Sequence, residues 1–539
     1  MGEGSSNRGK SFLKGATILT AAGITAKFLG FFVKIALSRI IGSDGYGYYY
    51  IAYPVYATLL VVSRSGIPVS LAKLISAKIA VDERKTAFNI FRIGRYLSII
   101  IGLFFSLLLF LLAKPYSLIN EPDAYYAIVA LSPAIFFVAI MATYRGFFQG
   151  MQNMVPTAIS QVIEQIVRVT TMIILSYLLL PYGIEVAAAG ATFGAVTGSC
   201  AGLLVLFYIY YKKKQKIRAY VNAKPLGDIN SKKIIKDIFS LVIPITFGAL
   251  VLPLMNLVDS IIVPNRLEAA GFIQTSVKLF GDLGFAMALV NFPTIITVSL
   301  AVSLVPSISE AKALNNDKLV ARRTEAGFRL AVLMGLPAAV GLFLMSKPLA
   351  NVIYGNIDVA VPLQIVAWGV LFIALQQTSA AILQGMGKPK IPAVNLLIGA
   401  LINAFINYTL TAQPQFGIRG AAFGTVTGFA VAAFLNLIYV KKLTKFRLKI
   451  KSLLLKPILA VFVMGIIVNQ GFALINNILA SFTHYSYTIT TFLIVLLAVI
   501  TYFLLLLISK EIKYNDLILI PKYGRKLANI LKRIGLVSD

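Results

Sequence analysis

Apolar runs of membrane length recur along this chain, separated by short segments rich in lysine, arginine, glycine and proline. Read as helices that cross a bilayer, they predict fourteen spans: residues 12–41, 46–72, 96–113, 124–148, 156–180, 186–211, 238–263, 280–307, 327–346, 359–384, 391–412, 417–440, 454–475 and 487–509. Several exceed the roughly 20 residues a bilayer requires, so they tilt or extend beyond it. The first run carries a second pattern. At about 100° per residue, Lys27 and Lys34 fall within roughly 20° of each other, with Thr20, Gly23 and Gly30 on the same side. Charge at membrane depth costs about 2.5–3.5 kcal/mol per residue. Lipid would reject this face, so the first helix is expected to line a polar space inside a bundle.

The pattern also repeats. Tyr53-Pro54 and Ile67-Pro68 in the second span return as Phe292-Pro293 and Val305-Pro306 in the eighth. Gln149-Gly150-Met151 returns as Gln384-Gly385-Met386, and Phe193-Gly194-Ala195-Val196-Thr197-Gly198 as Phe423-Gly424-Thr425-Val426-Thr427-Gly428, all at offsets between 230 and 239. Six spans per half put both halves into the membrane from the same side, as a parallel repeat. The expected layout is a basic tail (1–11), a six-helix lobe (12–211), a basic linker (212–237), a second lobe (238–440), two extra helices (441–509) and a basic tail (510–539).

Composition agrees. A chain of 539 residues that is 58% hydrophobic and 13% charged, with mean hydropathy +0.84, is an all-α polytopic membrane protein and no ordinary soluble domain. Net charge of +30 would suggest nucleic acid in a soluble protein; here the basic residues read as loop anchors. With a cytoplasmic N-terminus, 40 of the 50 lysines and arginines fall in inner segments and 6 in outer loops, namely Arg39, Lys114, Arg266, Lys278, Lys347 and Arg419. That bias predicts both termini on the cytoplasmic side. A single cysteine, Cys200, excludes an internal disulfide and a cysteine redox pair. The one histidine, His484, falls in an external loop and reads as structural. The first run is too long, and too interrupted by lysine, for a cleaved signal peptide.

Two N-terminal motifs carry little. Gly4-Ser5-Ser6-Asn7-Arg8-Gly9-Lys10-Ser11 fits the phosphate-loop pattern, yet only three residues precede it and no strand can form there. Met1-Gly2 with Ser6 formally fits a myristoylation signal. A flexible basic tail explains both, and no nucleotide is expected.

The intramembrane charges carry more. Besides Lys27 and Lys34 there are Arg39 near the outer end of span 1 and Arg64 just before Ser65-Gly66-Ile67-Pro68. Glu164 and Arg168 stand at i, i+4 and are expected to pair along one face, which Thr157, Ser160, Gln161 and Thr171 extend as a polar stripe. The second half offers Asn256, Asp259, Lys278, Asp282, Asn395, Asn403 and Asn407, a polar but nearly neutral set. Asp259 reads either as carrier of a coupling proton or cation or as an ordinary buried aspartate. Cations without partners at membrane depth mark a path for an anion, which assigns Lys27, Lys34 and Arg64 to it; Arg39, near the outer end of span 1, is expected to join them in attracting a diphosphate. Pro54, Gly66, Pro68, Pro293 and Pro306 are candidate flex points. A drug/cation antiporter would need acids in place of these cations. A membrane glycosyltransferase would need a catalytic carboxylate in a substantial external loop. The outer loops offer only Asp44, Glu121, Asp123, Glu185, Glu268 and Asp358 in short settings, with Asp282 near span 8. A transporter is therefore expected, not an enzyme.

Residues 14–45 (KGATILTAAGITAKFLGFFVKIALSRIIGSDG), 66–73 (GIPVSLAK), 145–169 (RGFFQGMQNMVPTAISQVIEQIVRV) and 181–191 (PYGIEVAAAGA) resemble the polysaccharide transporter family of the multidrug/oligosaccharidyl-lipid/polysaccharide exporter superfamily. The resemblance is to its stage V sporulation protein B-like and MurJ-type lipid II flippase branches. It implies two six-helix lobes with two added helices that accommodate a lipid tail. It also implies a bacterial cytoplasmic membrane location and a polyprenyl-diphosphate-linked saccharide flipped from the inner to the outer leaflet by alternating access. The family's basic positions in the first helix fall on Lys27, Lys34 and Arg39; lysine keeps the charge but loses bidentate phosphate geometry. Arg64 has no aligned counterpart, so its role rests on the residues alone. Lipid II, for peptidoglycan synthesis in growth or sporulation, is the first-choice cargo. A teichoic acid or capsule unit is the alternative, and a cation-coupled drug antiporter a more distant one. No cofactor or metal is implied; the membrane potential and a coupling proton or sodium ion would supply the drive. Expected partners are the lipid-linked saccharide, the bilayer and cell-wall synthesis enzymes, with no nucleic acid.

Overall fold

Hydrocarbon offers no hydrogen bonds, so a chain that crosses it satisfies its backbone internally, most simply as helix. The computed structural model describes residues 3–215, 231–446, 450–481, 485–509 and 524–533, and contains helices but no strand among them. Seven long elements come first: α1 (Glu3–Ile40), α2 (Gly42–Arg64), α3 (Ile67–Ala80), α4 (Arg84–Asn120), α5 (Ala124–Gly150), α6 (Val155–Leu179) and α7 (Ile184–Lys212). Then follow α8 (Ser231–Ala269), α9 (Ser276–Ala313), α10 (Asp317–Leu344), α11 (Ala360–Val366), α12 (Gly369–Gly385), α13 (Lys390–Leu410), α14 (Ile418–Thr444), α15 (Ile450–Ala480), α16 (Ser486–Ile508) and α17 (Gly524–Arg533).

Thirteen helical segments are long and apolar enough to cross a membrane, and a fourteenth is reached if one bent pair counts as a single span. That pair is the tenth expected span. It is not one straight helix over 359–384 but two segments, Ile357–Val366 and Gly369–Gly385, bent by 44°. The second span is interrupted too, at Ser65-Gly66 between α2 and α3, where Pro68 occupies the first turn of α3. Pro293 and Pro306, by contrast, lie inside the uninterrupted α9. The N-terminal segment is helical from Glu3, so the phosphate-loop look-alike Gly4–Ser11 is a stretch of α1 and not a loop. His484, residues 216–230 of the linker and residues 510–523 and 534–539 of the tail lie outside the described residues.

The chain divides into two compact units, Met1–Pro264 and Asn265–Asp539. The division falls inside α8, so most of this helix, which holds the seventh expected span, belongs with the first unit. The sequence repeat had placed it at the head of the second.

Inside each unit the repeated glycines make matching contacts. A Cβ on Gly94 of α4 would meet Leu71 of α3 at 2.8 Å; one on Gly327 of α10 would meet Leu304 of α9 at 2.9 Å. Gly150, ending α5, presses on Ile75 as Gly385, ending α12, presses on Ile308, each at 2.8 Å. Gly198 of α7 would bring a Cβ to 2.6 Å from the Glu164 carbonyl and 2.7 Å from Arg168 Cβ. Gly428 of α14 would come to 2.8 Å from the Gly399 carbonyl and 3.0 Å from Asn403 Cβ. The repeated motifs therefore mark where helix backbones touch, which is the reason small residues recur at helix interfaces in membranes. α15 and α16 follow the second repeat, and the Tyr502 hydroxyl of α16 donates to the Leu333 carbonyl of α10 at 3.0 Å.

These contacts set a graded expectation. Gly198→Ala and Gly428→Ala each overpack a helix contact and should cost about 1–3 kcal/mol. Gly248→Ala, where nothing lies within 4 Å, should gain about 0.5–1 kcal/mol. Thermal unfolding of the purified variants in detergent checks this; equal melting temperatures for all three would contradict it.

Candidate functional site

The site is built on α1, α2, α5 and α6 of the first unit. α1 packs along α6. Gly30, which lies between Lys27 and Lys34 on the charged face, makes this approach close: a Cβ there would sit 3.4 Å from Gln165 Nε2. Lys27 is exposed and Lys34 half-buried. Neither makes an ion pair or hydrogen bond among the described residues. Arg39 is exposed near the end of α1. Arg64 is the last residue of α2, half-buried at the break, and also lacks an ion pair among the described residues.

The expected Glu164–Arg168 pair is replaced by another. Glu164 Oε2 accepts from Arg145 Nη2 of α5 at 2.7 Å, with side-chain exposures of 18% and 9%. Arg145 Nε donates in addition to Ser160 Oγ at 3.0 Å. Arg168 has no ion pair among the described residues. The physical reason is the packing of α5 on α7 and of α7 on α6. It brings the Arg145 guanidinium to Glu164 from another helix in a charge-assisted hydrogen bond, with its second donor on Ser160, and this takes the place of the i, i+4 contact on one helix surface. The polar stripe is consumed in part by the same packing: Thr171 Oγ1 accepts from Thr197 Oγ1 of α7 at 2.9 Å.

Arg168 turns instead to a feature that sequence reasoning missed. Tyr46, Tyr49 and Tyr53 stack along α2, with ring centroids 5.4 and 5.5 Å apart, and Tyr56 adjoins Tyr53 at 5.6 Å with its ring tilted by 57°. The electrostatic partners of Arg168 are Tyr53, Tyr56 and Tyr49, together with Glu164 one turn back. The signal lay in the spacing i, i+3, i+7, i+10, one face of a helix.

The remaining sequence candidates lie elsewhere. Asp259 of α8 is half-buried and interacts electrostatically with Tyr50, while Asn256 is exposed. In the second unit Lys278 pairs with Asp358 at 2.8 Å in a solvent-open setting. Asp282 is fully buried and accepts from Asn356 Nδ2 at 2.9 Å. The asparagines of α13 serve helix packing: Asn395 Nδ2 donates to Asn436 Oδ1 of α14 at 2.9 Å, and Asn403 and Asn407 lie against Gly424. No group of three or more His, Cys, Asp or Glu that could hold a metal ion occurs among the described residues.

At the α2–α3 break, Gly66 meets α8 so closely that a Cβ would fall 2.5 Å from Val242 Cα. An apolar cavity of about 330 Å³, lined by Val62, Ile67, Leu97, Ile238 and Val242 among others, lies beside it. The break therefore has open space next to it within the unit.

With this geometry in hand, comparison with known proteins gives a consistent pattern. Residues 12–312 match the family described as "Polysaccharide biosynthesis protein", and residues 244–409 match the MatE family. The chain is 33% identical over 525 residues to stage V sporulation protein B of Bacillus subtilis (strain 168), covering 96% of this chain and 99% of that one. It is 28% identical over 494 residues to lipid II flippase MurJ of the same organism, covering 88% and 90%. A solved inward closed conformation of lipid II flippase MurJ shares the fold, with a TM-score of 0.65 at 17% identity over 93% of this chain and 100% of that one.

The two arginines should separate in stability. Arg145→Gln leaves the Glu164 carboxylate without its ion-pair partner at a largely buried position and should cost about 3–5 kcal/mol. Arg168→Gln, which breaks no pair, should cost no more than about 0.5 kcal/mol. Denaturation midpoints in detergent decide; equal losses would restore a structural role to Arg168.

Proposed function

We propose that this chain, which belongs to the polysaccharide biosynthesis protein family, translocates a polyprenyl-diphosphate-linked saccharide from the inner to the outer leaflet, with lipid II as its cargo. It is a multi-pass bacterial membrane protein whose relatives are flippases and transporters, not enzymes. The observation that carries the reading is the set Lys27, Lys34 and Arg64, cations without ion-pair partners among the described residues, on the helices that open the chain. Such charges at membrane depth call for an anionic guest. A diphosphate joined to a lipid supplies one. The name of the relative matched over 88% of this chain supplies the choice of lipid II.

Lys27, Lys34, Arg39 and Arg64 act in this reading as exchangeable point charges, since the cargo must leave again. The saccharide stays with the polar face while the prenyl chain remains in the bilayer, along α15 and α16. Alternating access exposes the cationic face to each side in turn, with the α2–α3 break at Gly66 as a flex point. The basic bias of the loops supports both termini on the cytoplasmic side. An anionic diphosphate leaving a negative interior then moves with the field, worth about 2.3 kcal/mol per charge per 100 mV, or about 4–5 kcal/mol for two charges. A proton or sodium ion at Asp259 is the coupling candidate for the return step. The MatE match over 244–409 keeps drug antiport as a second reading, but cations in the first unit would repel a cationic drug. The family's broader description also leaves room for a teichoic acid or capsule unit as cargo.

The test is leaflet accessibility of labelled lipid II in vesicles that carry the purified protein. Lys27→Ala/Lys34→Ala removes two charge-assisted contacts of about 1.5–3 kcal/mol each and should slow flipping at least tenfold. Wild-type rates in a correctly inserted double variant would refute the assignment.

A further inference from the structure

The apolar cavity beside the α2–α3 break has no task in the account so far. Its walls run lengthwise along two helices of the first unit, from Gly94 to Phe105 on α4 and from Ile238 to Leu250 on α8. At 1.5 Å per residue these stretches are about 16 and 18 Å long, close to the roughly 15 Å that one leaflet adds to a hydrocarbon core of about 30 Å. The cavity is therefore a slot about as long as one lipid chain.

Its wall is hydrocarbon with three hydroxyls. Ser63 Oγ donates to the Leu60 carbonyl at 2.9 Å, and Ser98 Oγ is hydrogen-bonded to Thr143 Oγ1. Thr246 Oγ1 alone has no hydrogen-bond partner among the described residues. Such a wall suits a chain and not a charged or sugar group. The slot also opens outward: Phe239, Ile243 and Phe247 of α8 line it and are still 37%, 49% and 69% exposed. On a helix that spans the membrane, such side chains face lipid tails.

One end of the slot is basic. Lys232 and Lys236, both exposed, lie just before Ile238 on α8. At about 100° per residue they share the face of Phe239, Ile243 and Phe247, whereas Asp237, the one acid between Ser231 and Leu250, falls roughly 120° away. An apolar slot of one leaflet's length with ammonium groups at its end is complementary to a lipid with an anionic head.

We propose that the slot between α4 and α8 holds one acyl chain of an anionic glycerophospholipid, whose headgroup is met by Lys232 and Lys236. The inference goes beyond the cargo reading and does not depend on it. The chain fills space beside Gly66, where a Cβ would fall 2.5 Å from Val242 Cα, so a seated lipid packs the α2–α3 break from the side. Walls on several sides then gain the dispersion contacts that an unfilled slot forfeits.

The full-length protein in phosphatidylcholine nanodiscs, doped with phosphatidylglycerol that carries a diazirine on one acyl chain, tests this by photo-cross-linking and peptide mapping. Label is expected on α4 between Gly94 and Phe105 and on α8 between Ile238 and Leu250. Ile101→Trp fills the slot and should cut that label at least about fivefold. Lys232→Gln/Lys236→Gln should cut it about threefold to tenfold, and this surface variant decides the matter if Ile101→Trp fails to fold. Thr246→Val should keep the label within about twofold of wild type; a loss there would show a ligand with an oxygen at that depth and overturn the acyl assignment. Label absent from both stretches, equal label from the matching phosphatidylcholine probe, or wild-type label in either folded slot or lysine variant would overturn the proposal. Competition by farnesyl diphosphate as strong as by unlabelled phosphatidylglycerol would give the slot to a prenyl chain and overturn it as well.

Discussion

The bond between Arg145 and Glu164 sets the electrostatics of the first unit. It joins α5 to α6 at 2.7 Å and uses up the carboxylate of Glu164. A buried pair of this kind owes its place to geometry more than to net stability. Its larger consequence is for its neighbours. Arg168, one turn on, still feels that carboxylate but makes no ion pair of its own, and Lys27, Lys34 and Arg64 have no ion-pair partner among the described residues. Under the proposed function that charge is kept for a guest that brings the negative charge.

The glycine contacts explain how the two halves share a framework yet differ in chemistry. Gly198 and Gly428 hold their helices against equivalent backbones. What projects from those backbones is free to diverge, and has done so: an arginine in one half, an asparagine in the other. Packing fixes where the helices lie, and the residues flanking each contact decide what they bind.

Much of this could be read from the chain itself. Membrane spans are written in long apolar runs, and the repeat in motifs whose glycines prove to be contact points. The broken second span was marked by Gly66 and Pro68. Other features were hidden for physical reasons. The i, i+4 spacing of Glu164 and Arg168 is a local signal, whereas Arg145 reaches Glu164 through the tertiary packing of α5, which no local window encodes. Lys278 read as a polar neighbour of the eighth span until Asp358, far along the chain, proved to hold it. The bend after Val366 lies C-terminal to Pro362, whereas a proline disturbs the turn before it, so no local signal marks it. The tyrosines of α2 had the right period, but aromatic residues at that period more often fill a core, as the buried Tyr46 and Tyr56 do.

The most direct test is a density map of the protein in a bilayer with a polyprenyl-diphosphate saccharide bound. The account predicts diphosphate oxygens at about 3 Å from the cationic groups of α1 and α2, with Arg145 still bound to Glu164. A diphosphate seated away from all of them, with Lys27, Lys34 and Arg64 each turned to a protein carboxylate, would contradict it.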